Sequence, residues 1–235
     1  MLELLSEVFK AYFTPPIPKL ILYRLKWSMM RKIGVNRSYI QSLDTLLSEP
    51  KWFVGTIKNW SDTFIDVGAG VGDYVARTKS RKIYCFEPDL RCAKTIYSKA
   101  GGRDIVVYFC ALGNYDGTTS FTMTNSLKHS TMILDRNGCR STVLVYKLDT
   151  LTFGKREIIP EGNVLVKIDT EGAEHLVLEG AKVFVKVYRP TVLIEYHENL
   201  PKVIKCLKQL SYRIDKHLSD RYTSSNHGWL LCVPE

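Results

Sequence analysis

"FIDVGAGVGDY", residues 64–74, is the stretch on which the fold turns. A short apolar run carries one acid, Asp66, and leads into Gly68, Gly70 and Gly72 at alternate positions. A glycine-rich turn directly after a strand lets backbone approach a ligand closely, where a Cβ would collide. A dinucleotide fingerprint, G-x-G-x-x-G, would need a glycine at position 73, where Asp73 stands. An acid inside the strand would also repel a pyrophosphate. No G-K-[ST] follows, which excludes a P-loop. Asp66 instead suits a ligand with a cationic group.

Working outward, short apolar runs recur: "FIDV" (64–67), "IYCFE" (83–87), "IVVYFC" (105–110), "VLVKID" (164–169) and "TVLIEY" (191–196). Runs without alternation fit strands buried on both faces. Helix-like segments lie between several of them. "DLRCAKTIYSKAGG" follows Pro88 and stops at Gly101 and Gly102. "GAEHLVLEGAKVFVKV" follows the fourth run, and "NLPKVIKCLKQL" places Val203, Ile204, Leu207 and Leu210 on one stripe. Strand–helix alternation predicts an α/β fold, a parallel sheet with helices on both faces. "YRIDKHL" and "HGWLLCV" carry no helical pattern and read as a closing antiparallel pair. The polar stretch 124–142 reads as a loop, in which Lys128, Ser130 and Thr131 either line an acceptor pocket or belong to a plain surface loop.

Glu87 ends the second run, in "CFEPD", seventeen residues beyond Gly70. An acid before the glycine turn and another at the next strand end match a ligand with cations and a ribose diol but no phosphate. S-adenosylmethionine has that chemistry: a sulfonium, an ammonium, a carboxylate and a diol. Asp66 would meet the amino-acid end, and Glu87 the diol.

The chain has 235 residues, is 45% hydrophobic and carries a formal net charge of +9. Its length suits one domain, residues 51–235, preceded by a helical N-terminal extension over 1–50. Residues 1–40 hold seven basic side chains (Lys10, Lys19, Arg24, Lys26, Arg31, Lys32, Arg37) against Glu3 and Glu7, a net of +5. Such a segment is either a solvated face or a footprint for an anionic partner: a phosphorylated small molecule, nucleic acid or a lipid surface. The six cysteines show no C-x-x-C pair and no zinc spacing, which reads as a reduced cytoplasmic chain. The start carries acids before any basic residue, so no signal peptide is expected, and no transmembrane span stands out.

Beyond these residues, the chain resembles the FkbM family of class I S-adenosylmethionine-dependent methyltransferases. The resemblance runs from about 62 to 213: "FIDVGAGVGDYV", "YCFEPD", "VYFCALGNYDGTTSF", "VYKLDTL", "VLVKIDTEGAEHLVLEGA" and "RPTVLIEYHE". Gly70 departs from it, since family members often carry Asn there. The resemblance implies a Rossmann-like, seven-stranded, mainly parallel sheet and methyl transfer, commonly to a hydroxyl of a sugar or complex metabolite. Carried over by position, Asp66, Gly68, Gly70 and Glu87, with Ala69, Gly72 and Pro88 beside them, would bind S-adenosylmethionine. The Cys110–Ala111 turn would lie against its adenine.

The densest chemistry is "IDTEGAE", where Asp169, Glu171 and Glu174 fall within six residues. In an open parallel sheet, ligands bind beyond the carboxyl ends of the strands near the switch in strand order. Asp169 is therefore placed in the crevice, touching the methionine end of the cofactor or the acceptor. Glu171 would either take the proton of an acceptor hydroxyl or pair with a basic side chain. Glu174 reads as a structural first-turn acid. His197 is a candidate general base, because its ordinary pKa is near neutral; Glu195 is read as turned to the opposite face. A divalent cation held by Asp169, Glu171 and Glu195 is a lesser reading, and no metal is expected.

The leading functional reading is O-methylation of a sugar, glycan, lipid-linked or other small-molecule acceptor. RNA methylation is the alternative; "IDTEG" stands where base-nitrogen enzymes often carry Asn/Asp-Pro-Pro-aromatic. A non-catalytic cofactor-binding or membrane-associated scaffold is a third, and the expected location is the cytoplasm or, through the basic N-terminus, the inner membrane surface.

Overall fold

The computed structural model describes residues 49–123, 139–219 and 227–235. The expected extension over 1–50, except for its last two residues, lies outside these. So do 124–138, including Lys128, Ser130 and Thr131.

Seven strands form one sheet in the order β3-β2-β1-β7-β8-β10-β9. The first five positions are β3 (Asp104–Tyr108), β2 (Lys82–Phe86), β1 (Thr63–Val67), β7 (Val164–Ile168) and β8 (Thr191–His197). All four neighbouring pairs among these are parallel. The expected antiparallel pair closes the sheet, as β9 (Tyr212–Ser219) and β10 (His227–Pro234), with β10 running against β8. β1 and β7 have no exposed residue, as the unbroken apolar runs predict for central strands covered on both faces.

The two faces have separate cores. On one, α1 (Lys51–Asn59), α2 (Asp73–Arg77) and α3 (Ala93–Ser98) bring Phe53, Ile57, Tyr74, Val75 and Ile96 against Phe64, Ile83, Leu165 and Leu193. On the other, α4 (Glu174–Glu179), α5 (Lys182–Tyr188) and α6 (Leu200–Gln209) cover Ile65, Val67, Val166, Ile168 and Ile194. Consecutive strand residues alternate between these cores, as the two-residue repeat of a strand requires.

Two features depart from the sequence reading. The segment after β7 is two helices, not one, broken at Gly180. A Cβ there would sit 1.8 Å from the Gly113 carbonyl oxygen. Asp149 accepts hydrogen bonds from the backbone N–H groups of Val183 and Phe184 (2.9 and 2.7 Å), capping the second helix from afar. The "LDT" of "VYKLDTL" is thus a buried leucine followed by a remote helix cap. The polar segment also begins to pair earlier than expected. β6 (Cys139–Tyr146) runs antiparallel to β5 (Gly117–Met123) and parallel to β4 (Ala111–Leu112) in a separate three-stranded sheet. Thr142, Val143 and Val145 favour extended backbone, but the polar start of the strand hides its pattern.

Candidate active site

The glycine turn leaves β1 beside the ends of β2 and β7. Gly68, Gly70 and Gly72 have φ of 73°, 51° and 75°, the left-handed region that glycine enters without steric cost. At Gly68 there is a second constraint: a Cβ would lie 1.8 Å from the Asp169 carbonyl oxygen. The N–H groups of Gly68 and Ala69 both donate to the Phe86 carbonyl, at 3.0 and 3.1 Å, and Gly72 N donates to Ala69 O at 2.8 Å. The turn is therefore fixed against β2 and touches the loop after β7.

Glu87 sits at the end of β2, 6% exposed. Its two oxygens accept from Gly70 N and Asp89 N, each at 2.8 Å. Burial pushes its carboxyl up to about 7, against the lowering effect of those two backbone donors. Pro88 is half-buried beside it, and Cys110 and Ala111 are buried where the chain leaves β3.

Asp66 was expected to meet the amino-acid end of the cofactor directly or through water, and the structure leaves it no exposed edge for direct contact. It is wholly buried, and the cation it meets is Lys167, whose Nζ stands 3.1 Å from Asp66 Oδ1. The two residues are register partners on β1 and β7. Burial raises the Asp66 pKa, while the Lys167 charge pulls it down. At Lys167, burial acts to lower the pKa, but the facing charges of Asp66 and Asp169 outweigh it and the net shift is upward. Lys167 Nζ also donates to the Gly68 carbonyl at 2.8 Å, lies 3.5 Å from Asp169 Oδ2, and faces the Tyr74 ring at 4.9 Å.

Sequence reasoning passed over Lys167. The signal was present: "FIDV" and "VLVKI" are buried runs with one ionisable residue each. A charge at such a place is tolerated only when paired.

The loop after β7 is organised by Glu174. This fully buried carboxylate accepts, through Oε1, from Gly172 N (2.8 Å), Thr170 N (3.1 Å) and Thr170 Oγ1 (3.2 Å). Those bonds curl the loop so that Glu171 adopts φ 53°, an uncommon conformation for a residue with a Cβ. Asn199 secures the loop from the other side, donating through Nδ2 to Gly172 O at 2.7 Å.

Asp169 and Glu171 then flank His197 at the end of β8. His197 Nε2 is 3.5 Å from Glu171 Oε2, and Nδ1 is 3.6 Å from Glu174 Oε1 and 4.0 Å from Asp169 Oδ1. Burial works against the charged imidazole, but Glu174, Asp169 and Glu171 together raise its pKa to about 10. The shift favours the protonated imidazole, a cation among carboxylates.

Glu195 does not turn away from His197, as the sequence reading had it. Residues two apart on a strand share a face, and both approach His227: Glu195 Oε1 and His227 Nε2 are hydrogen-bonded at 2.9 Å, and the imidazoles of His197 and His227 stack at 4.7 Å. Burial and the Asp169 charge raise the Glu195 pKa, opposed by the His227 bond. Among the described residues, Glu195–His197–His227 and Asp169–Glu171–His197 are the groups whose donor atoms come within 4.8 Å of one another. The set once considered for a cation, Asp169, Glu171 and Glu195, is divided by His197 between these two groups.

A mainly parallel sheet with a glycine turn, a strand-end acid and this carboxylate loop at its switch point is a Rossmann-like arrangement for binding a ligand beyond the strand ends. More narrowly, the chain belongs to the methyltransferase FkbM family, whose domain matches residues 66–214. Among solved structures it is similar to methyltransferase FkbM from Methylobacillus flagellatus KT, at 18% identity and a TM-score of 0.51, over 73% of this chain and 43% of that one. This chain thus spans less than half the length of that protein. It is also similar to the fibrillarin pre-rRNA processing protein of Methanococcus jannaschii (12% identity, TM-score 0.46, 76% and 68% of the two chains). A third is M. capricolum TrmK in complex with S-adenosyl-homocysteine (13%, TM-score 0.43, 79% and 68%). No curated protein matches the chain.

The cofactor of this family is S-adenosylmethionine, and the residues fit it. Glu87 offers a carboxylate at the strand end where a ribose diol would donate. The glycine turn has no Cβ at 68, 70 or 72. Asp169, 25% exposed, leaves a carboxylate edge at the crevice.

Proposed function

We propose that this chain transfers a methyl group from S-adenosylmethionine to a hydroxyl of a sugar, glycan, lipid-linked or other small-molecule acceptor. The observation that supports this most is the Asp169–His197–Glu171 group, set beyond the carboxyl ends of β7 and β8 and adjoining the glycine turn. When bound, the cofactor supplies a methyl carbon already activated by its sulfonium. The protein's task is then alignment, which contributes several kcal/mol by itself, about 7–11 at its best, together with removal of the hydroxyl proton. Asp169 would accept the hydrogen bond of the acceptor hydroxyl and take its proton. His197 stands between Asp169 and Glu171, within 4.0 Å of the first and 3.5 Å of the second. Glu171, projected by its left-handed backbone, hydrogen-bonds a second hydroxyl of the acceptor. No metal enters this scheme.

Several carboxylates facing one crevice favour a neutral, hydroxyl-rich acceptor over a phosphate-dense one, since like charges at close range repel. RNA is the less favoured acceptor for that reason, although the chain as a whole is basic. The basic segment 1–40 suits peripheral contact with an anionic membrane from the cytoplasmic side. No helix among the described residues is long and apolar enough to cross a membrane.

The deciding experiment incubates the protein with methyl-labelled cofactor and separated small-molecule, glycan, lipid and RNA fractions. Label is expected in a hydroxyl-bearing small-molecule, glycan or lipid fraction, and Asp169→Asn is expected to lower its uptake by about 100-fold. Label entering RNA alone, or an Asp169→Asn variant at full rate, would sink the proposal.

A further inference from the structure

The Asp66–Lys167 pair needs an explanation that the reaction scheme does not give. Burying two charges between central strands is costly, and a well-packed apolar pair in the same space is often as stable or more so. Stability is therefore a weak reason for it. Position is a better one. Lys167 lies one residue before the end of β7, and its ammonium reaches three things at once. It donates to the Gly68 carbonyl at 2.8 Å, pairs with Asp66 at 3.1 Å, and stands 3.5 Å from the Asp169 carboxylate. The Tyr74 ring, from the helix after the turn, faces the same ammonium at 4.9 Å. The backbones it links are themselves in contact: Asp169 N donates to Val67 O at 3.1 Å, and a Cβ on Gly68 would collide with Asp169 O.

We propose that Lys167 is a positioning residue that couples the cofactor turn to Asp169, so that the cofactor-binding backbone and the proton-accepting carboxylate are held by one buried ammonium. Asp66 serves as the anchor that keeps this ammonium charged and centred. Cofactor affinity and the state of Asp169 are then not independent: neutralising Asp169 changes what the turn feels through Lys167. The inference rests on the reading of the crevice as an S-adenosylmethionine site.

The test is a double-mutant cycle with S-adenosylhomocysteine as probe, read by calorimetry, with thermal unfolding followed in parallel. Four proteins are compared: the unaltered chain, Asp169→Asn, the charge-free pair Asp66→Asn/Lys167→Met, and all three changes together. Replacing both members of the pair avoids stranding one charge in the core. The paired variant is expected to unfold near the original midpoint yet to bind about tenfold more weakly. The effect of Asp169→Asn on affinity is expected to shrink by about threefold or more in that background, a non-additivity that a merely structural lysine would not produce. Equal affinity of the paired variant and the unaltered chain, or an Asp169→Asn effect of the same size in both backgrounds, overturns the proposal. Should the paired variant not fold, Lys167→Arg replaces it. That change keeps the charge but cannot place it on all three oxygens, and is expected to weaken binding about fivefold; unaltered affinity overturns the proposal. Failure of the unaltered chain to bind the probe would count against the cofactor reading itself, and is distinguishable from these outcomes.

Discussion

Two turns meet above the centre of the sheet, and they solve the same problem by opposite means. The turn after β1 bends with three glycines at positive φ, a shape glycine enters without steric cost. The turn after β7 bends around a buried carboxylate: Glu174 gathers the N–H groups of Thr170 and Gly172, and forces Glu171, which has a Cβ, to φ 53°. The glycine turn is bare and presents backbone. The second turn is strained and presents side chains. A nucleoside cofactor needs the first kind of surface; a proton that must be accepted needs the second.

The comparison can be broken most sharply at Gly68. Gly68→Ala would put a Cβ into the Asp169 carbonyl and strain the backbone at φ 73°. A loss of at least about 3 kcal/mol is expected in denaturant melts, with cofactor binding abolished. The corresponding change in the other turn is Glu174→Ala, which leaves two buried N–H groups without their acceptor. About 2 kcal/mol should be lost, and limited proteolysis should open the segment around residues 170–172.

His197 sharpens the electrostatic side. Its folded pKa, about 10, lies above the ordinary 6.5, so its stabilising contribution is complete below pH 6.5 and is lost as pH rises through 10. The stability gap between the unaltered chain and His197→Gln should therefore narrow between pH 6.5 and 10 in guanidinium melts. Glu87 gives a gentler effect on the glycine side. Its folded pKa of about 7 lies above 4.5, so folding favours its protonated form, and whatever stability it contributes fades as pH rises through 7. The ribose diol needs the ionised form. Affinity for S-adenosylhomocysteine should consequently rise about tenfold from pH 6 to pH 8, and Glu87→Gln should flatten that profile. The smallest effect expected is from chelation: EDTA should leave methyl transfer unchanged, and a loss restored by Mg²⁺ or Mn²⁺ would move the Asp169–Glu171–His197 group from proton chemistry to metal chemistry.

Legibility in the sequence follows the same division. The central strands could be read because covered strands need continuous apolar runs, and the glycine turn because alternate glycines have few other uses. Asp169, Glu171 and His197 could be placed at the crevice because the ends of parallel strands lie there. Their partners could not be read. Asp66 looked like a cofactor ligand because Lys167 stands a hundred residues away in the chain, and nothing local shows that the two share a register. Glu195 was turned to the wrong face, although the two-residue repeat fixes it beside His197; the error was one of geometry, not of missing information. Asp149 capping a helix through Val183 and Phe184 is again a contact between distant segments.

By itself, the sequence determined the parallel sheet, the bend after β1 and the places where acids meet the crevice, because each is set by hydrophobic spacing and backbone sterics within a few residues. The tertiary structure alone decided which of those acids are spoken for. Charge states depend on what stands within a few ångströms. Only the pairing of β1 with β7, and of β8 with β10, brings Lys167 to Asp66 and His227 to Glu195.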